Sequence, residues 1–379
     1  MFTKEAKIAE RDRRLALLNQ LMEKNGLDAI LFTSAAQQTL QMATKYITGY
    51  QLSSRRDYIF MKKGEMPYLI LSNLGQQFHA RRISWLPAEN IVCGDMEELV
   101  KKFISSLPGT PKIGTYETRE MPVGMWQVLQ STGAEFVDVT REFTELRKSK
   151  SEYELALTRL ASDIAVQSFE YVVRNIKPGV TENELIGGAE GFLRSRGAED
   201  MLILTRSQKP HSFITRATDV PVKEDGVFVY SAEVAGPGGY WTQLIRPIFM
   251  SYDAQPEAQA ILEVIKEAEK AGAAMIRPGN KIRDIAIAIE EVVAKRGYKT
   301  GVWSGHGMGA DLGDGIDIGA SNDMEIVPNM IFTLHPSVVS DTDGLLFGNT
   351  FVSTEGEAIC LTPQYQDSLF IDDLRKVIK

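Results

Sequence analysis

The sequence contains few of the residues that carry redox, metal or nucleic-acid chemistry. Its 379 residues include two cysteines and four histidines. Cys93 and Cys360 lie in apolar surroundings without CxxC spacing, so we expect two small buried side chains and neither a disulfide nor a thiolate metal site. The net charge of -8 and the lack of any basic run longer than residues 11–14 argue against a nucleic-acid partner.

Long apolar runs are missing as well. The first thirty residues are charged and helix-periodic, without the uninterrupted apolar segment of a signal peptide. No apolar stretch reaches the ~18 residues that span a membrane. We therefore expect a cytoplasmic protein without a membrane partner. With 44% apolar and 24% charged residues, the chain can bury the core of a globular protein with two domains.

The first part of the chain alternates helical and strand patterns. Apolar residues recur at helical spacing over residues 9–25, and Gly26 ends the pattern. Short apolar runs then predict strands over residues 29–32, 57–61, 67–71 and 111–116. A charged connector leads into a long helical pattern that starts at Ser151. We predict an α/β domain over residues 1–145 and a second domain over residues 146–379.

The second domain contains an internal repeat. The segment IKPGVTENELIGGAEGFLRSRG (176–197) aligns without gaps with IRPGNKIRDIAIAIEEVVAKRG (276–297), one hundred residues later. Each copy is typical of a Pro-Gly turn, an amphipathic helix and a glycine that ends the helix. Two copies are too few for a solenoid, so we interpret them as a duplicated half-domain with a cleft between the two halves.

Strand-forming sequence follows each copy of the repeat. The predicted strands are VFVYSAEV (227–234), QLIRPIFM (243–250), MIFTLHPSVV (330–339) and NTFVSTEGEAICLT (349–362). We expect them to form a mainly antiparallel sheet with the helices packed outside it. The predicted fold class is therefore α/β (α+β).

Taken in order, the motifs of this chain resemble those of a known family. The segments LRKSKSEYELALTRLASDIA, IKPGVTENEL, GHGMG, VPNMIFTLHPSV and NTFVSTEGE follow one another as in the creatinase, prolidase and aminopeptidase P family. The segment YITGYQLSSRRDYIFMKKGEMPYLIL is similar to the N-terminal creatinase-like domain of that family. The resemblance covers nearly the whole chain. It implies a creatinase-like α/β domain, then a duplicated pita-bread domain with a curved, mainly antiparallel sheet, and a homodimer.

The metallopeptidases of this family hold two divalent metals with two aspartates, one histidine and two glutamates. On this chain those positions fall, in order, near Ala232 or Ser231 and on Gln243, His306, His335 and Gly348. Glu233 is close to the first position but out of register with it. Too few anionic oxygens remain to neutralise two divalent cations. The resemblance therefore predicts no metal cofactor, with a single divalent metal as the alternative.

The predicted acid-base residues are His306, His335 and Glu233. His306 lies in the glycine-rich stretch Trp303–Gly319, where glycines let the backbone approach a ligand closely. By the geometry of the family, His335 faces the same cleft. Two neighbouring imidazoles disfavour double protonation, so one titrates near or below about pH 6.5, which suits acid-base chemistry at neutral pH. Structural hydrogen bonding is the alternative role for each histidine.

Seven further residues are predicted to bind substrate: His211, Tyr240, Trp241, Gln243, Arg246, Arg55 and Arg56. The resemblance places a substrate-handling histidine near His211. The turn AGPGGYW aims Tyr240 and Trp241 either into a pocket or into the core of a hairpin. Arg246 either binds a substrate carboxylate or braces the sheet. In similar dimers, the segment that matches residues 55–56 reaches the cleft of the neighbouring subunit.

Three functions remain open at this point. The first is a metal-independent, creatinase-like hydrolase that cleaves a C–N bond, of amide or amidine type, in a small polar or peptide-like substrate by histidine and carboxylate acid-base chemistry. We favour it because His335 keeps a titratable group in the cleft. The second is an Xaa-Pro aminopeptidase or dipeptidase with a reduced metal site. The third is a non-catalytic binding protein that retains the fold.

Overall fold

The chain divides into two units, Met1–Lys148 and Ser149–Lys379. A computed structural model describes residues 2–52, 55–301 and 304–378. Trp303, at the start of the glycine-rich stretch, lies outside the described residues. Over the described residues, no helix is both long enough and apolar enough to span a bilayer.

The first unit is built on one six-stranded sheet. Its elements are α1 (Lys4–Asn25), β1 (Ala29–Ala35), α2 (Met42–Thr48), β2 (Arg56–Lys62), β3 (Tyr68–Leu71), α3 (Leu74–Ile83), β4 (Ile91–Cys93), α4 (Met96–Ser105), β5 (Lys112–Tyr116), α5 (Val123–Ser131), β6 (Glu135–Asp138) and α6 (Thr140–Arg147). The strand order is β4-β3-β2-β1-β5-β6. Strand β1 pairs antiparallel with β2 and parallel with β5. The predicted α/β composition of this region is confirmed.

Local sequence explains the first two elements. The Thr3 side chain caps α1 by accepting a hydrogen bond from the backbone N–H of Ala6. Gly26 ends the helix in a left-handed conformation, with φ of 62°, which glycine adopts without steric cost. All seven residues of β1 are buried, as expected for a central strand that is covered on both faces.

The second unit contains five helices and ten strands over the described residues. They are α7 (Glu152–Asn175), α8 (Glu182–Ser195), β7 (Asp200–Arg206), β8 (Val227–Ala235), β9 (Trp241–Phe249), α9 (Pro256–Met275), α10 (Ile282–Lys295), β10 (Lys299–Thr300), β11 (Gly305–Gly307), β12 (Ile331–Leu334), β13 (Ser337–Val339), β14 (Gly344–Leu346), β15 (Asn349–Val352), β16 (Ile359–Cys360) and α11 (Ile371–Val377). The long helix predicted from Ser151 is α7, and the Ser151 side chain caps it in a capping box with Glu154.

The duplication predicted from the repeat is visible in the helices. Helices α8 and α10 each have fourteen residues. Helix α8 begins with a capping box, and in α10 the Asp284 carboxylate accepts from the backbone N–H of Lys281 at 2.8 Å. The turn before each helix uses a glycine with the same φ of 87°, Gly179 in the first copy and Gly279 in the second. The glycine after each helix is also left-handed, with φ of 88° at Gly197 and 81° at Gly297.

The strands of the two halves meet in one curved, antiparallel arrangement. One sheet has the order β7-β8-β9 and another has the order β11-β12-β15-β16. A β-bridge between Ile245 and Gly348 joins them. Strands β10, β13 and β14 form a separate small sheet. This mainly antiparallel arrangement confirms the predicted fold class.

Strands β8 and β9 separate a helix-packed face, covered by α7 and α8, from an inner face, where Val229 and Ile245 share a core cluster with residues of α9 and α10. Phe228, Tyr230, Ala232 and Leu244 pack with residues of α7 and α8 in one core cluster. Because side chains alternate along a strand, the odd-numbered residues of both strands point the opposite way. We call this opposite side the inner face.

Candidate active site

Two rows of side chains cross the inner face from β8 to β11. The first row contains Glu233, Gln243, Thr350, Thr333 and His306, linked by strand pairing and by hydrogen bonds between Gln243 and Thr350. The second row contains Ser231, Ile245, Gly348, His335 and Ser304, linked in the same way. Strand register therefore brings all three predicted acid-base residues and Gln243 to one surface, although they are distant in sequence.

The Gln243 side chain connects the two halves of the unit. Its amide Nε2 donates to Glu233 Oε1 at 2.9 Å, and its Oε1 accepts from the Thr333 hydroxyl at 3.0 Å. Thr333 lies two strands away from Gln243, beyond β15, so the Gln243 side chain reaches across the intervening strand. Gln243 thus fixes the relative position of Glu233 and the strand that leads to His335.

Glu233 is in register with Gln243, and the sequence spacing did not reveal this. The two residues are directly paired across β8 and β9, whereas Ala232 belongs to the helix-packed face. Glu233 is buried and its Oε2 atom has no hydrogen-bond partner among the described residues. Burial raises the pKa of Glu233 to about 8, because a carboxylate without a cationic partner is costly in a low-dielectric interior. At neutral pH this side chain is mainly a neutral carboxylic acid.

His306 and His335 form the other half of the candidate site. Their ring centroids are 5.2 Å apart in an edge-to-face arrangement. His306 Nδ1 lies 2.9 Å from the carbonyl oxygen of Gly307. Because a carbonyl only accepts, Nδ1 carries the proton in the neutral ring and Nε2 keeps its lone pair. In this tautomer Nε2 is the ring atom that can accept a proton.

The two histidines do not titrate alike. Burial lowers the pKa of His306, against the opposing effects of backbone hydrogen bonds with Gly307 and Leu312 and of the Asp317 charge. Burial and the neighbouring His306 lower the pKa of His335 to about 3. Both ring nitrogens of His335 lack hydrogen-bond partners within the described residues. The lowered pKa of His335 agrees with the expectation that one ring of the pair titrates below about 6.5, and it leaves His335 fitted to hydrogen bonding as a neutral ring.

Two glycines leave room for these histidines. Gly305 has φ of 149°, and a Cβ there would lie 2.2 Å from the Thr333 carbonyl oxygen, so only glycine fits beside β12. A Cβ on Gly348 would lie 2.7 Å from Cβ of His335. His335 thus fills the space that a side chain at position 348 would need.

Arg246 lies on the opposite face from Gln243 and is fully engaged in structural bonds at its terminal nitrogens. Nη1 donates to the carbonyl oxygens of Ile245 and Gly348, both at 2.9 Å, and Nη2 donates to Asn349 Oδ1 at 2.7 Å. Asn349 in turn donates to Glu269 at 3.0 Å. Burial lowers the pKa of Arg246 to about 10 and raises that of Glu269 to about 8. This geometry favours the sheet-bracing role that we considered for Arg246.

The structure places His211 at the tip of the β13-β14 hairpin. Its Nδ1 lies 3.0 Å from Asp343 Oδ1, and its backbone N–H donates to the same oxygen at 3.1 Å. Asp343 directly precedes β14, whereas His335 precedes β13 at the far end of the hairpin. Among the described residues no hydrogen bond or ring contact joins His211 to His306, His335 or Glu233. No contact therefore supports a role for His211 in binding substrate directly beside the three acid-base residues.

Tyr240 and Trp241 occupy a hairpin core. The Tyr240 hydroxyl donates to Glu154 Oε1 at 2.6 Å. Trp241 is buried in a cluster with Leu155, Met308 and other apolar residues. Of the two interpretations that the sequence left open, these contacts fit packing in the hairpin core.

Arg55 and Arg56 belong to the first unit. Arg55 is exposed and has a left-handed backbone, with φ of 68°. Arg56 begins β2, and its Nη1 donates to the carbonyl oxygen of Glu120 at 2.7 Å. Their role at the cleft of a neighbouring subunit stays a prediction from the resemblance.

The residues at the inner face do not fit the two-metal centre that the resemblance implies. Among the described residues, no three His, Cys, Asp or Glu side chains lie together in a way that could hold a metal ion. Glu233 is the one carboxyl in the two rows, and its Oε1 is taken by an amide. A pair of divalent cations needs several anionic oxygens.

Sequence reasoning missed Thr333, which contacts Gln243 in the candidate site, and Asp343, which holds His211. Thr333 lies two residues before His335, so strand alternation alone places it on the same face. Asp343 had no comparable signal, because its partner His211 is 132 residues away in the chain. Such a pairing becomes visible only when the fold brings the two segments together.

Comparison with known proteins gives matches over both units. Residues 156–355 match Metallopeptidase family M24, and residues 14–149 match the Creatinase/Prolidase N-terminal domain. The putative dipeptidase YkvY of Bacillus subtilis is 24% identical over 342 residues, which cover 86% of this chain and 92% of that protein.

Solved structures share the fold at low identity. The X-Pro aminopeptidase from Thermotoga maritima superposes with a TM-score of 0.82 at 20% identity, over 94% of this chain and 99% of that one. The N-terminal domain of FACT complex subunit SPT16 from Cicer arietinum superposes with a TM-score of 0.75 at 15% identity, over 97% and 98% of the two chains. The fold therefore does not by itself decide the activity. The family match, however, spans more than half of the chain, and the chain belongs to metallopeptidase family M24, with a creatinase/prolidase N-terminal domain.

Proposed function

We propose that this protein is a metal-independent hydrolase that cleaves an amide C–N bond in a small-molecule or short-peptide substrate. Membership of a peptidase family supports hydrolysis. The observation that carries the metal-free mechanism is the pairing of a buried, neutral carboxylic acid, Glu233, with two neutral imidazoles on one curved face. Glu233 Oε2 and both His335 ring nitrogens lack partners within the described residues, so they are available to a ligand.

The arrangement supports a division of roles. Glu233 is the general acid, because burial brings its pKa to about 8, near the pH at which it works. His306 is the general base through Nε2. His335 stays neutral and donates a hydrogen bond to the carbonyl oxygen of the substrate, where negative charge develops during attack.

The reaction then needs only water as co-reactant. His306 takes one proton from water as the water oxygen bonds to the carbonyl carbon. The C–N bond breaks, and the leaving nitrogen takes the proton from the Glu233 carboxyl. The products are a carboxylic acid and an amine. Transfer of the proton held by His306 to the Glu233 carboxylate restores both groups.

Metal analysis combined with an activity screen tests this proposal. The purified protein is assayed for amine release from Xaa-Pro dipeptides and from their N-acetylated and amidated forms, with and without a chelator. We expect turnover that survives the chelator and is lost in His306→Ala. Thr33→Val serves as a matched control, since Thr33 Oγ1 is a buried hydroxyl without a partner, in the first unit.

The other functions predict different results. About one bound zinc or manganese ion per chain, lost together with activity under the chelator, would establish the reduced-metal peptidase instead. Ligand binding without turnover in any of these substrates would establish the binding protein. Homodimerisation and a cytoplasmic location stay predictions of the proposal.

A further inference from the structure

The inner face carries polar groups but almost no charge. Ser231, Gln243, Thr333 and Thr350 are uncharged side chains, and Glu233 has an amide as its partner. Of the ion pairs formed by the described residues, none includes Ser231, Glu233, His306 or His335. A ligand at this face would therefore meet hydrogen-bonding groups and no fixed counter-charge.

Two charged side chains adjoin these rows, and neither is available to a ligand as a buried partner. Arg246 faces the helix-packed side, and its terminal nitrogens are bound to Ile245, Gly348 and Asn349. Asp317 pairs with His306 through a β-bridge but is exposed to water, which screens its charge. Neither residue offers a buried partner for a substrate carboxylate or ammonium.

Three buried side chains, however, have unused hydrogen-bonding atoms. Ser231 is fully buried, Glu233 is 6% exposed and His335 is 6% exposed. The Ser231 hydroxyl, Glu233 Oε2 and both ring nitrogens of His335 have no partner among the described residues. Buried polar atoms are nearly always hydrogen-bonded in folded proteins, so this set points to a ligand that supplies both donors and acceptors.

An uncharged amide fits this set, whereas a free terminus does not. An amide offers one carbonyl acceptor and one or two N–H donors, which matches hydroxyl, carboxyl and imidazole groups. Moving an ammonium or carboxylate out of water without a partner costs far more than moving an amide that finds hydrogen bonds. The inner face should therefore discriminate strongly against charge.

We propose that the group bound between Ser231, Glu233 and His335 is an uncharged amide, so that the substrate is an acylated or amidated peptide, or a similar internal amide, and not a zwitterionic dipeptide. This inference rests on the proposed function, because it names the substrate class of the same site.

Calorimetric titration with a capping series tests the inference. The four probes are alanyl-proline, its N-acetyl form, its amide and the N-acetyl amide. At pH 7 we expect the doubly capped compound to bind at least tenfold more tightly than the free dipeptide, with each single cap giving part of the gain. Equal or tighter binding of the free dipeptide overturns the inference, and so does undetectable binding of the doubly capped compound at millimolar concentration.

Variants tie the binding to these residues. Ser231→Ala and His335→Ala should each weaken binding of the doubly capped compound, whereas Thr33→Val should leave it unchanged. Gln243→Glu places a second carboxyl beside Glu233. We expect this variant to reduce the preference for the doubly capped compound over the free dipeptide, because the added carboxyl favours the free amino terminus. An unchanged affinity in both Ser231→Ala and His335→Ala would contradict the assignment.

The outcome separates this inference from the proposed function. Tight binding of the doubly capped compound without hydrolysis would contradict the proposed hydrolase activity but would support the preference for an uncharged amide. Hydrolysis of the free dipeptide, with weaker binding of the capped form, would support the hydrolase activity but would contradict the preference for an uncharged amide.

Discussion

Gly348 lies directly against His335 at the point where the two halves of the second unit join. A Cβ at position 348 would lie 2.7 Å from Cβ of His335 and 2.7 Å from the carbonyl oxygen of Leu334. Gly348 also pairs with Ile245 of the first half. Because position 348 has no side chain, His335 can lie directly beside the bridge between Ile245 and Gly348 that joins the two halves.

Gly348→Ala should destabilise the protein, because the added methyl group meets the Leu334 carbonyl oxygen and the Cα and Cβ atoms of His335, which cannot all move away. Overpacking of this kind costs about 1–3 kcal/mol. The concentration of urea at the unfolding midpoint measures the effect. Gly313→Ala is the matched control, since a Cβ at Gly313 has no neighbour within 4 Å. An equal midpoint for both variants would contradict the contact.

Glu233→Gln should abolish proton transfer while keeping a neutral hydrogen-bonding group next to Gln243. We expect the hydrolysis rate to fall by roughly 10²–10⁴-fold, the range for loss of one general acid. In the unmodified protein the rate should fall as pH rises through about 8, because Glu233 then loses the proton that it donates. Rates measured from pH 6 to 10 check both statements.

The stability of the same variant separates chemistry from folding. Glu233→Gln removes a carboxyl that is costly to ionise when buried, so its urea midpoint at pH 9 should equal or exceed that of the unmodified protein. A variant that keeps full activity, with an unchanged fall above pH 8, would exclude Glu233 as the acid.

Arg246→Met should destabilise the second unit strongly, because it leaves the buried Glu269 and Asn349 without their cationic neighbour. Loss of one member of a buried charged network costs about 3–5 kcal/mol.

Arg283→Met is the control. Arg283 is 40% exposed in its ion pair with Asp323, and such surface pairs contribute about 0–1 kcal/mol. Replacing Glu269 by Gln in the Arg246→Met background should recover part of the loss. Equal urea midpoints for the two arginine variants would contradict the bracing role.

The sequence predicted the elements and the duplication because these depend on local signals. The Pro-Gly turns and the closing glycines fixed the ends of α8 and α10, and apolar alternation predicted β8 and β9. The relation between Glu233 and Gln243 depends instead on strand register, and a shift of one residue moves a side chain to the other face. Spacing alone could therefore not show that Glu233, and not Ala232, faces inward.

The chemistry of the histidines was also beyond the sequence. The glycine-rich stretch and the resemblance singled out His306 and His335, but the pKa of each ring depends on burial and on neighbours from other strands. His335 has no side-chain hydrogen-bond partner on either nitrogen among the described residues, so little offsets the cost of burying its charged form. The packed structure is therefore needed to distinguish His306, the proton acceptor, from His335, the neutral hydrogen-bond donor.

Asp57→Asn should change how stability depends on pH in the first unit. Asp57 is buried in β2, and its two carboxyl oxygens each lie 2.9 Å from the hydroxyl of Thr44. Burial outweighs these hydrogen bonds and raises the pKa of Asp57 from 3.8 to about 7.

The folded state therefore holds this proton more tightly than the unfolded chain does. The contribution of the protonated Asp57 to stability is full below about pH 4 and is lost as pH rises through 7. Between pH 5 and pH 8 the loss is about 3 kcal/mol, since the unfolded chain is ionised while the folded protein still holds the proton over about two pH units of this interval, and each unit corresponds to ~1.4 kcal/mol. Asn keeps the shape but has no proton to lose, so urea midpoints of Asp57→Asn should fall less between these two pH values than those of the unmodified protein. Identical falls would show that Asp57 is already ionised, or equally solvated, in the folded protein. Asp28→Asn, at an exposed aspartate of the same unit, provides the comparison.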